Sequence, residues 1–280
     1  MNPFKKDVKN AWCPGCGNFA ILNALQAALH DEGIAPHETM IVSGIGQAAK
    51  LPHYISANGY NGLHGRSLPA ALGVHAANPK LKLIVTSGDG DTYGEGGNHF
   101  IHHVRRNINM LHLVHDNQVY GLTKGQGSPT TAMGQVTTLQ KDGMKSMPIN
   151  PVLLALSLGA TFVARAYSQN IDQLKDLIKA GLNHKGYAMI DIFQPCVSFN
   201  KVNTYQWYSA NTKPLPDDYD PSNLALAIEY AQKEAPDLPL GILYQVEKPH
   251  FMERQTHLEK PIIEYERKPQ DIQHLLENHR

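Results

Sequence analysis

The stretch from residue 85 to 127 constrains the fold more than any other. An apolar run over residues 81–85 predicts a strand, and it stops at Ser87-Gly88-Asp89-Gly90-Asp91. A helix is predicted from about residue 98, with Phe100, Ile101 and Val104 as its apolar face. A second apolar run, residues 110–114, ends at Asp116-Asn117. Strand, acidic glycine turn, helix and strand make a βαβ unit. Polar residues then gather at the carboxyl ends of two strands, where open α/β sheets bind ligands.

The chemistry of that turn points to a metal held against a phosphate. Glycines let the backbone approach a bulky anion, and amides at a helix start favour negative charge. Asp89 and Asn117 supply hard oxygens, which suit Mg2+ in octahedral coordination shared with substrate phosphates. Carbonyls of the turn from Asn117 to Val119 can complete the shell. The stretch lacks the GxxxxGK[ST] pattern of a P-loop. It is also a poor GxGxxG fingerprint, because the acid sits inside the turn. The plain alternative is an acidic turn with no ligand. A second strand ending in Asp-Asn at βαβ spacing favours the site.

Composition sets the outer bounds. At 280 residues and 42% hydrophobic, the chain can bury a sizeable core. Lysine plus arginine equals aspartate plus glutamate, at 25 each, so no basic field attracts nucleic acid. The fifteen histidines are scattered and are expected mostly at the surface or at helix ends. No apolar stretch is long enough to span a membrane, and no apolar core follows the basic start as a secretory signal requires. Three cysteines cannot form a disulfide framework, and they fit a reducing, cytoplasmic setting with a metal or redox role.

From the start of the chain, Trp12-Cys13-Pro14-Gly15-Cys16 precedes a predicted helix over residues 18–30. Phe19, Ile21, Leu22, Leu25, Ala28 and Leu29 form its buried stripe, and Gly33 closes it. A CxxC pair ahead of a helix has its sulfurs near amides that favour thiolates. Metal ligation, dithiol redox chemistry and a reduced structural pair all fit. Too little chain precedes Cys13 for a thioredoxin-like βαβ context, so metal ligation is preferred. Residues 40–43 read as a strand, and residues 66–77 as a helix after a glycine-rich loop holding His64 and Arg66. Such a loop suits a site rim, or it is simply tied down by a histidine hydrogen bond. The polar loop after Gly121 carries Lys124 and is long for a compact domain, which favours function. Asn150-Pro151 starts a helix, and residues 161–164 form a strand. An amphipathic helix over residues 171–180 should end at Gly181, and a strand over residues 188–193 leads to Pro195-Cys196. Residues 203–219 read as an extended or partner-facing crossing, a helix runs from Asp220-Pro221 to about residue 232, residues 240–246 read as a last strand, and residues 250–280 as a surface tail.

Taken together, the strings CPGCG, SGIG, HGR, GDGD, GGNHFIH, RRN, DNQVYGLTKGQ, SPTT and QPCVSFN resemble the β subunit of 2-oxoacid:ferredoxin oxidoreductases over residues 10–210. The resemblance implies an open, mostly parallel α/β sheet with helices on both faces, the diphosphate half of a thiamine diphosphate fold. It implies a domain over residues 1–210, with an N-terminal iron–sulfur segment, and a C-terminal extension over residues 211–280 facing a partner. It also implies oxidative decarboxylation of a 2-oxoacid to an acyl-coenzyme A, with electrons passed to ferredoxin. An α subunit would supply the other half of the site, in a dimer of αβ pairs. Mg2+ would be held by Asp89, Asn117 and the Val119 carbonyl. Thiamine diphosphate would lie against Gly88, Asp89, Gly90, Asp91, Asn117, Val119, Gly121 and Leu122. His64 and Arg66 would stand near the cofactor, Lys124 would meet the substrate's carboxylate side, and Leu122 would shape selectivity. Cys13, Cys16 and Cys196 would hold a four-iron, four-sulfur (4Fe–4S) cluster.

One residue departs from the pattern. The family's fourth cluster cysteine follows SGIG, where this chain has Gln47, and an amide is a poor thiolate substitute. A non-cysteine fourth ligand, a three-iron cluster and a lost cluster all remain open, with a cluster on three cysteines favoured. A lysine at the cleft favours 2-oxoglutarate among 2-oxoacids. Two other readings stand beside this one: a thiamine-dependent decarboxylase without ferredoxin, and a non-catalytic metal-binding module.

Overall fold

The computed structural model describes residues 2–255, 261–266 and 272–278. Its first half holds α1 (Asn18–Asp31), β1 (Thr39–Ser43), β2 (Asn58–Asn61), α2 (Ser67–Ala77), β3 (Lys82–Gly88), α3 (Gly97–Arg106), β4 (Met110–Asp116), β5 (Val119–Tyr120) and β6 (Gln126–Gly127). After these come α4 (Pro151–Ser157), β7 (Phe162–Tyr167), α5 (Ile171–Asn183), β8 (Tyr187–Phe193), α6 (Tyr205–Asn211), β9 (Thr212–Pro214), α7 (Leu224–Ala231), β10 (Leu238–Gln245) and α8 (Gln273–Glu277). Eight strands form one sheet in the order β2-β1-β3-β4-β8-β7-β10-β9. The first six run parallel. β10 is antiparallel to β7, and β9 is parallel to β10.

Both faces of the sheet are covered, as the long apolar runs require. On one face, Ile21, Leu25 and Leu29 of α1 and Leu174 and Ile178 of α5 pack on Ile84, Leu111, Leu113 and Ile190. On the other, Phe100, Val104, Val152 and Ala227 pack on Val85, Met110, Val114 and Met189. Successive β4 residues thus serve opposite layers, as the period of two demands. Each such fully buried aliphatic side chain contributes roughly 1.5–3 kcal/mol.

The chain moves outward from β1 to β3 to β4, then returns from β7 to β8, which lands beside β4. The direction reverses between β4 and β8, and that reversal opens a crevice at their carboxyl ends. Asn117 follows β4 and Gln194 follows β8, while Asp89 follows the neighbouring β3.

Several expectations need correction. Ile101 is 37% exposed, so Phe100 and Val104, with His103, carry the buried face of α3. Helix α5 runs through Gly181, where a Cβ would lie 2.7 Å from Leu111 Cδ1; the missing side chain serves helix–sheet packing and does not stop the helix. Residues 203–219 are not an extended crossing. They hold α6 and β9, and Tyr208 is fully buried with its ring 4.8 Å from that of Phe193. α7 begins at Leu224 under an Asn223 cap, later than Asp220-Pro221 suggested. The division at residue 210 does not mark an edge of the sheet, since β9 and β10 extend it. The expected tail, residues 250–280, lies partly outside the described residues. Most described histidines are at the surface or at helix ends, as expected; His75, His103 and His184 are buried at helix ends, and only His112 and His115 are buried within a strand.

Candidate active site

Four loops meet at the crevice, and three of them follow β1, β3 and β4 directly. β3 ends at Gly88, and the chain turns at once through Asp89 into a π-helical turn over Gly90–Glu95. Such turns recur at functional sites. Gly90 permits the turn to press on the next loop, because a Cβ there would lie 2.3 Å from a Tyr120 ring carbon. Asp91 binds the loops together. Its Oδ1 accepts from the amides of Gly65 (2.7 Å) and Ile45 (3.2 Å), and His64 Nδ1 lies 2.8 Å away. Burial raises the Asp91 pKa, and the two amides and His64 oppose that rise.

Asp89 is 1% exposed. The Thr130 hydroxyl lies 2.6 Å from Asp89 Oδ2 and 2.9 Å from Asp116 Oδ1. One hydroxyl proton serves one acceptor, so one of the two acids carries a proton when both contacts are hydrogen bonds. Burial, with the charges of Asp191 and Asp89 beside it, pushes Asp116 well above the usual carboxylate range. Burial raises Asp89 as well, opposed by the Ser128 and Thr130 hydroxyls, so the two acids titrate as one pair with Thr130 between them.

Beyond β4 the backbone turns tightly. Asn117 Oδ1 accepts from the Val119 amide at 3.0 Å. Gln118 takes a left-handed φ of 59°, a conformation that costs about 1–3 kcal/mol for a residue with a side chain. Its amide donates to Asp116 Oδ1 at 3.2 Å, and its carbonyl accepts from the Thr131 hydroxyl. Hydrogen bonds on both sides of Gln118 hold the strain in place.

These residues surround one cavity. Gly88, Asp89, Gly90 and Asp91 line one wall, and Asn117, Val119, Gly121 and Leu122 another, with His64 at the rim. Among the described residues, no lysine or arginine lines it. Arg66 is exposed, and its Nη1 lies 2.8 Å from His99 Nε2, away from the cavity. Lys124 is exposed on the loop beyond Thr123 and outside the lining. Of the expected site residues, Arg66 and Lys124 alone are not gathered here or at the cysteines.

A second cavity lies behind the first. Cys13, Cys16 and Cys196 line it together with Gln47, Gln194 and Trp12. Gln47, Asn117 and Gly121 line both cavities and form the shared wall. Trp12 anchors the cysteine loop: its ring meets those of Tyr54 and Phe19 edge-on at 4.8 and 5.3 Å, and its Nε1 donates to the Gln47 carbonyl at 2.7 Å. Gln194 Nε2 donates to Cys16 Sγ at 3.4 Å, and the Ser198 hydroxyl to Cys13 Sγ at 3.2 Å. The CxxC-before-helix expectation of thiolates is not met at Cys16. Burial pushes its thiol up to about 11, outweighing the Asn18 amide.

Among the described residues, no three His, Cys, Asp or Glu side chains converge as single-ion ligands. The three thiols line one cavity. In the first cavity the Asp89 carboxylate, the Asn117 amide oxygen and the Val119 carbonyl are available as donors, while Asp91 is taken up by the Gly65 and Ile45 amides. That set is a partial hard-oxygen shell, the kind Mg2+ completes with phosphates and water.

The sequence reading missed a polar layer under both cavities. Asp191 Oδ1 accepts from the Tyr93 hydroxyl at 2.9 Å, and its Oδ2 lies 3.7 Å from Arg165 Nε. Burial pushes Asp191 up to about 6 against the pull of Arg165. Burial also holds His112 and His115 down to about 3, so both are neutral. His115 Nδ1 lies 2.7 Å from Asn18 Oδ1 and its Nε2 3.0 Å from the Thr86 hydroxyl. A signal existed: His112, His115 and Asp191 interrupt strands that are otherwise apolar, and a buried polar group needs a partner.

Comparison with known proteins accords with this geometry. Residues 38–192 match the thiamine pyrophosphate enzyme, C-terminal TPP binding domain. Residues 196–260 match the C-terminal family of pyruvate ferredoxin oxidoreductase β subunits. The chain is 42% identical to a 2-oxoacid:ferredoxin oxidoreductase subunit β from Saccharolobus solfataricus, over 97% of each chain. It is 44% identical to a 2-oxoacid:ferredoxin oxidoreductase 1, subunit β, from Aeropyrum pernix, over 86% of this chain and 79% of that one. Among solved structures, it resembles a 2-oxoglutarate:ferredoxin oxidoreductase from Magnetococcus marinus with 2-oxoglutarate, coenzyme A and succinyl-CoA bound. That likeness has a TM-score of 0.92 at 34% identity and covers 100% of this chain and 96% of the other.

Proposed function

This chain belongs to the β subunits of the 2-oxoacid:ferredoxin oxidoreductases, and on that premise we propose that it serves the oxidative decarboxylation of 2-oxoglutarate to an acyl-coenzyme A. Family membership sets aside the readings as a ferredoxin-independent decarboxylase and as a non-catalytic module. One observation carries the assignment of the site: Asp89 and Asn117, at the ends of adjacent strands, line one cavity that has no lysine or arginine among the described residues. A diphosphate cannot settle against Asp89 and Asp91 without a divalent cation between them. Asp89, Asn117 and the Val119 carbonyl would hold Mg2+, with Gly88 and Gly90 giving the phosphates access to the backbone. Bound there, thiamine diphosphate supplies a thiazolium that accepts the electron pair released on decarboxylation.

This chain's residues orient and hold. Thr130, whose hydroxyl contacts Asp89 and Asp116, would keep Asp89 aimed at the metal. Asp91 fixes His64 at the rim, where a proton can be held near the reacting end. Leu122 faces the open side of the cavity and would shape substrate choice. Lys124, on the same loop, would meet the distal carboxylate of 2-oxoglutarate once the α partner folds over it. The solved neighbour that carries 2-oxoglutarate supports that choice. Arg66, turned to His99 outside the lining, is given no step.

Cys13, Cys16 and Cys196 would hold the 4Fe–4S cluster that passes electrons to ferredoxin. A β subunit implies an α partner, and the surface agrees. Leu63, Met133, Val136, Leu139 and Met147 are each more than half exposed around the cavity's loops, an apolar surface of the kind that partners cover. Dimers of αβ pairs are the expected assembly. No helix among the described residues is long and apolar enough to cross a membrane, and three free thiols support a cytoplasmic site of action.

The test is anaerobic co-purification with the α subunit. About four irons per β chain, bound thiamine and Mg2+, and coenzyme A-dependent ferredoxin reduction faster with 2-oxoglutarate than with pyruvate are expected. A higher kcat/KM for pyruvate overturns the substrate, and the absence of thiamine and Mg2+ dependence overturns the site.

A further inference from the structure

The wall between the two cavities holds an oxygen with no partner. Gln47 Oε1 is buried and accepts no hydrogen bond. Burying an amide oxygen unpaired costs about 1–3 kcal/mol, so this oxygen calls for a partner in the cavity. The Gln47 backbone is fixed on both sides: Gly46 takes a φ of +114° and Trp12 Nε1 holds the Gln47 carbonyl. The side chain faces the cavity that the three thiols line. A Cβ on Gly121 would lie 3.8 Å from both Cys196 Sγ and Gln47 Cγ, so Gln47 stands across a single glycine from the third thiol.

We infer that Gln47 Oε1 completes the cysteine cavity as the ligand of one labile iron, at the corner of the cluster that faces the thiamine cavity. The inference rests on the cluster reading above and deepens it. Three thiolates hold three irons firmly. The fourth iron meets a neutral, hard oxygen, which binds iron in a sulfide environment weakly. A one-electron oxidant such as ferricyanide then takes one electron from the 4Fe–4S cluster in its 2+ state. Gln47 releases its iron as Fe2+, and a three-iron, four-sulfide cluster of charge 1+ stays on the cysteines. No sulfide is lost and no proton moves. Adding Fe2+ and a reductant reverses the step. Gln47 also lines the diphosphate cavity, so the weakly held iron is the corner nearest the electron donor. An amide in place of a thiolate leaves the cluster one unit less negative, which raises its reduction potential.

The experiment uses the anaerobic αβ complex, with iron analysis, electron paramagnetic resonance and thiamine binding measured on the same sample. Titration with ferricyanide should drop iron from about four to about three per β chain and give the signal of an oxidised three-iron cluster, with Fe2+ restoring the loss. Gln47→Cys should keep all its iron under the same titration and show a lower reduction potential. Gln47→Ala should reach the three-iron state at lower oxidant. A wild-type cluster that keeps four irons through the titration, or a Gln47→Cys potential equal to wild type, overturns the role of Gln47 and leaves the cluster assignment standing. A complex that binds thiamine and Mg2+ but carries no iron overturns both the inference and the cluster, and spares the decarboxylase site.

Discussion

The diphosphate cavity and the cysteine cavity share Gln47, Asn117 and Gly121, yet they are held by different means. The first is built by the sheet. Gly88 and Asn117 stand at or just past the ends of two hydrogen-bonded strands, and Asp89, Asp91, Thr130 and Gln118 are all pinned by short hydrogen bonds. The second is built by docking. Cys196 follows β8, but Cys13 and Cys16 come from a loop ahead of α1, secured by Trp12 and touched by weak hydrogen bonds to sulfur. A site set by strand ends is preformed without its ligand. A site set by a docked loop depends on the dock and on whatever it binds.

The largest effect should come from the sheet-built side. Asp89→Ala removes the one carboxylate of the metal set while Thr130 and Asp116 keep their places. Activity should fall about a thousandfold and thiamine diphosphate binding should vanish by calorimetry, with the thermal midpoint almost unchanged. A large drop in the midpoint would mean that Asp89 holds the fold, and the two cavities would not differ as described.

Trp12→Ala probes the docked side. It empties a nearly buried indole site at a cost of about 3–5 kcal/mol and frees the CxxC loop. Cluster iron should be lost while the complex still binds thiamine diphosphate and Mg2+. Loss of thiamine binding in step with iron would show the shared wall to be one structural unit. Thr130→Val comes next. It leaves Asp89 and Asp116 facing a methyl group, and Mg2+ affinity should fall about 10–100-fold with the iron content untouched.

How legible each cavity was in the sequence follows from the same contrast. The acidic turn, Asn117 and the loop after it were readable because strand ends and glycines leave local marks. The three cysteines and Gln47 could be named, but their meeting needed the fold, since Cys16 and Cys196 are joined through Gln194 across the whole domain. The layer beneath was hidden for another reason. Arg165, Asp191 and Tyr93 are brought together by strand pairing at Arg165↔Asp191 and by the π-turn, and no spacing in the chain announces that. The last strand, read at residues 240–246, stands as β10 at Leu238–Gln245, while β9 was missed because it is only three residues long and follows a short helix.

The buried histidines sharpen the comparison through pH. His112 sits at about 3 in the folded chain against an ordinary 6.5, so the unfolded chain takes up a proton between those values and the folded one does not. Stability from this group is whole above pH 6.5 and is lost as pH falls towards 3. Between pH 7 and 5 the loss is about 2 kcal/mol. Asp191, raised to about 6, works the other way, gaining stability over part of that range, and is common to wild type and variant. The thermal midpoint of His112→Gln should therefore drop less than that of wild type from pH 7 to pH 5. Equal drops would mean that His112 is charged in the fold.

Arg66→Ala should do least. Arg66 is exposed and is turned to His99, whose own pKa is held down by burial and by the Arg66 charge. An exposed contact of this kind is worth under about 1 kcal/mol, so kcat/KM in the assembled complex should change less than about threefold. A loss of tenfold or more, with an unchanged thermal midpoint, would place the guanidinium on the cofactor after the α partner docks. The cavity's lack of a fixed positive charge would then belong to the isolated β chain only. Mg2+ would share its neutralising role with an arginine that the loop at residues 62–66 delivers only on assembly.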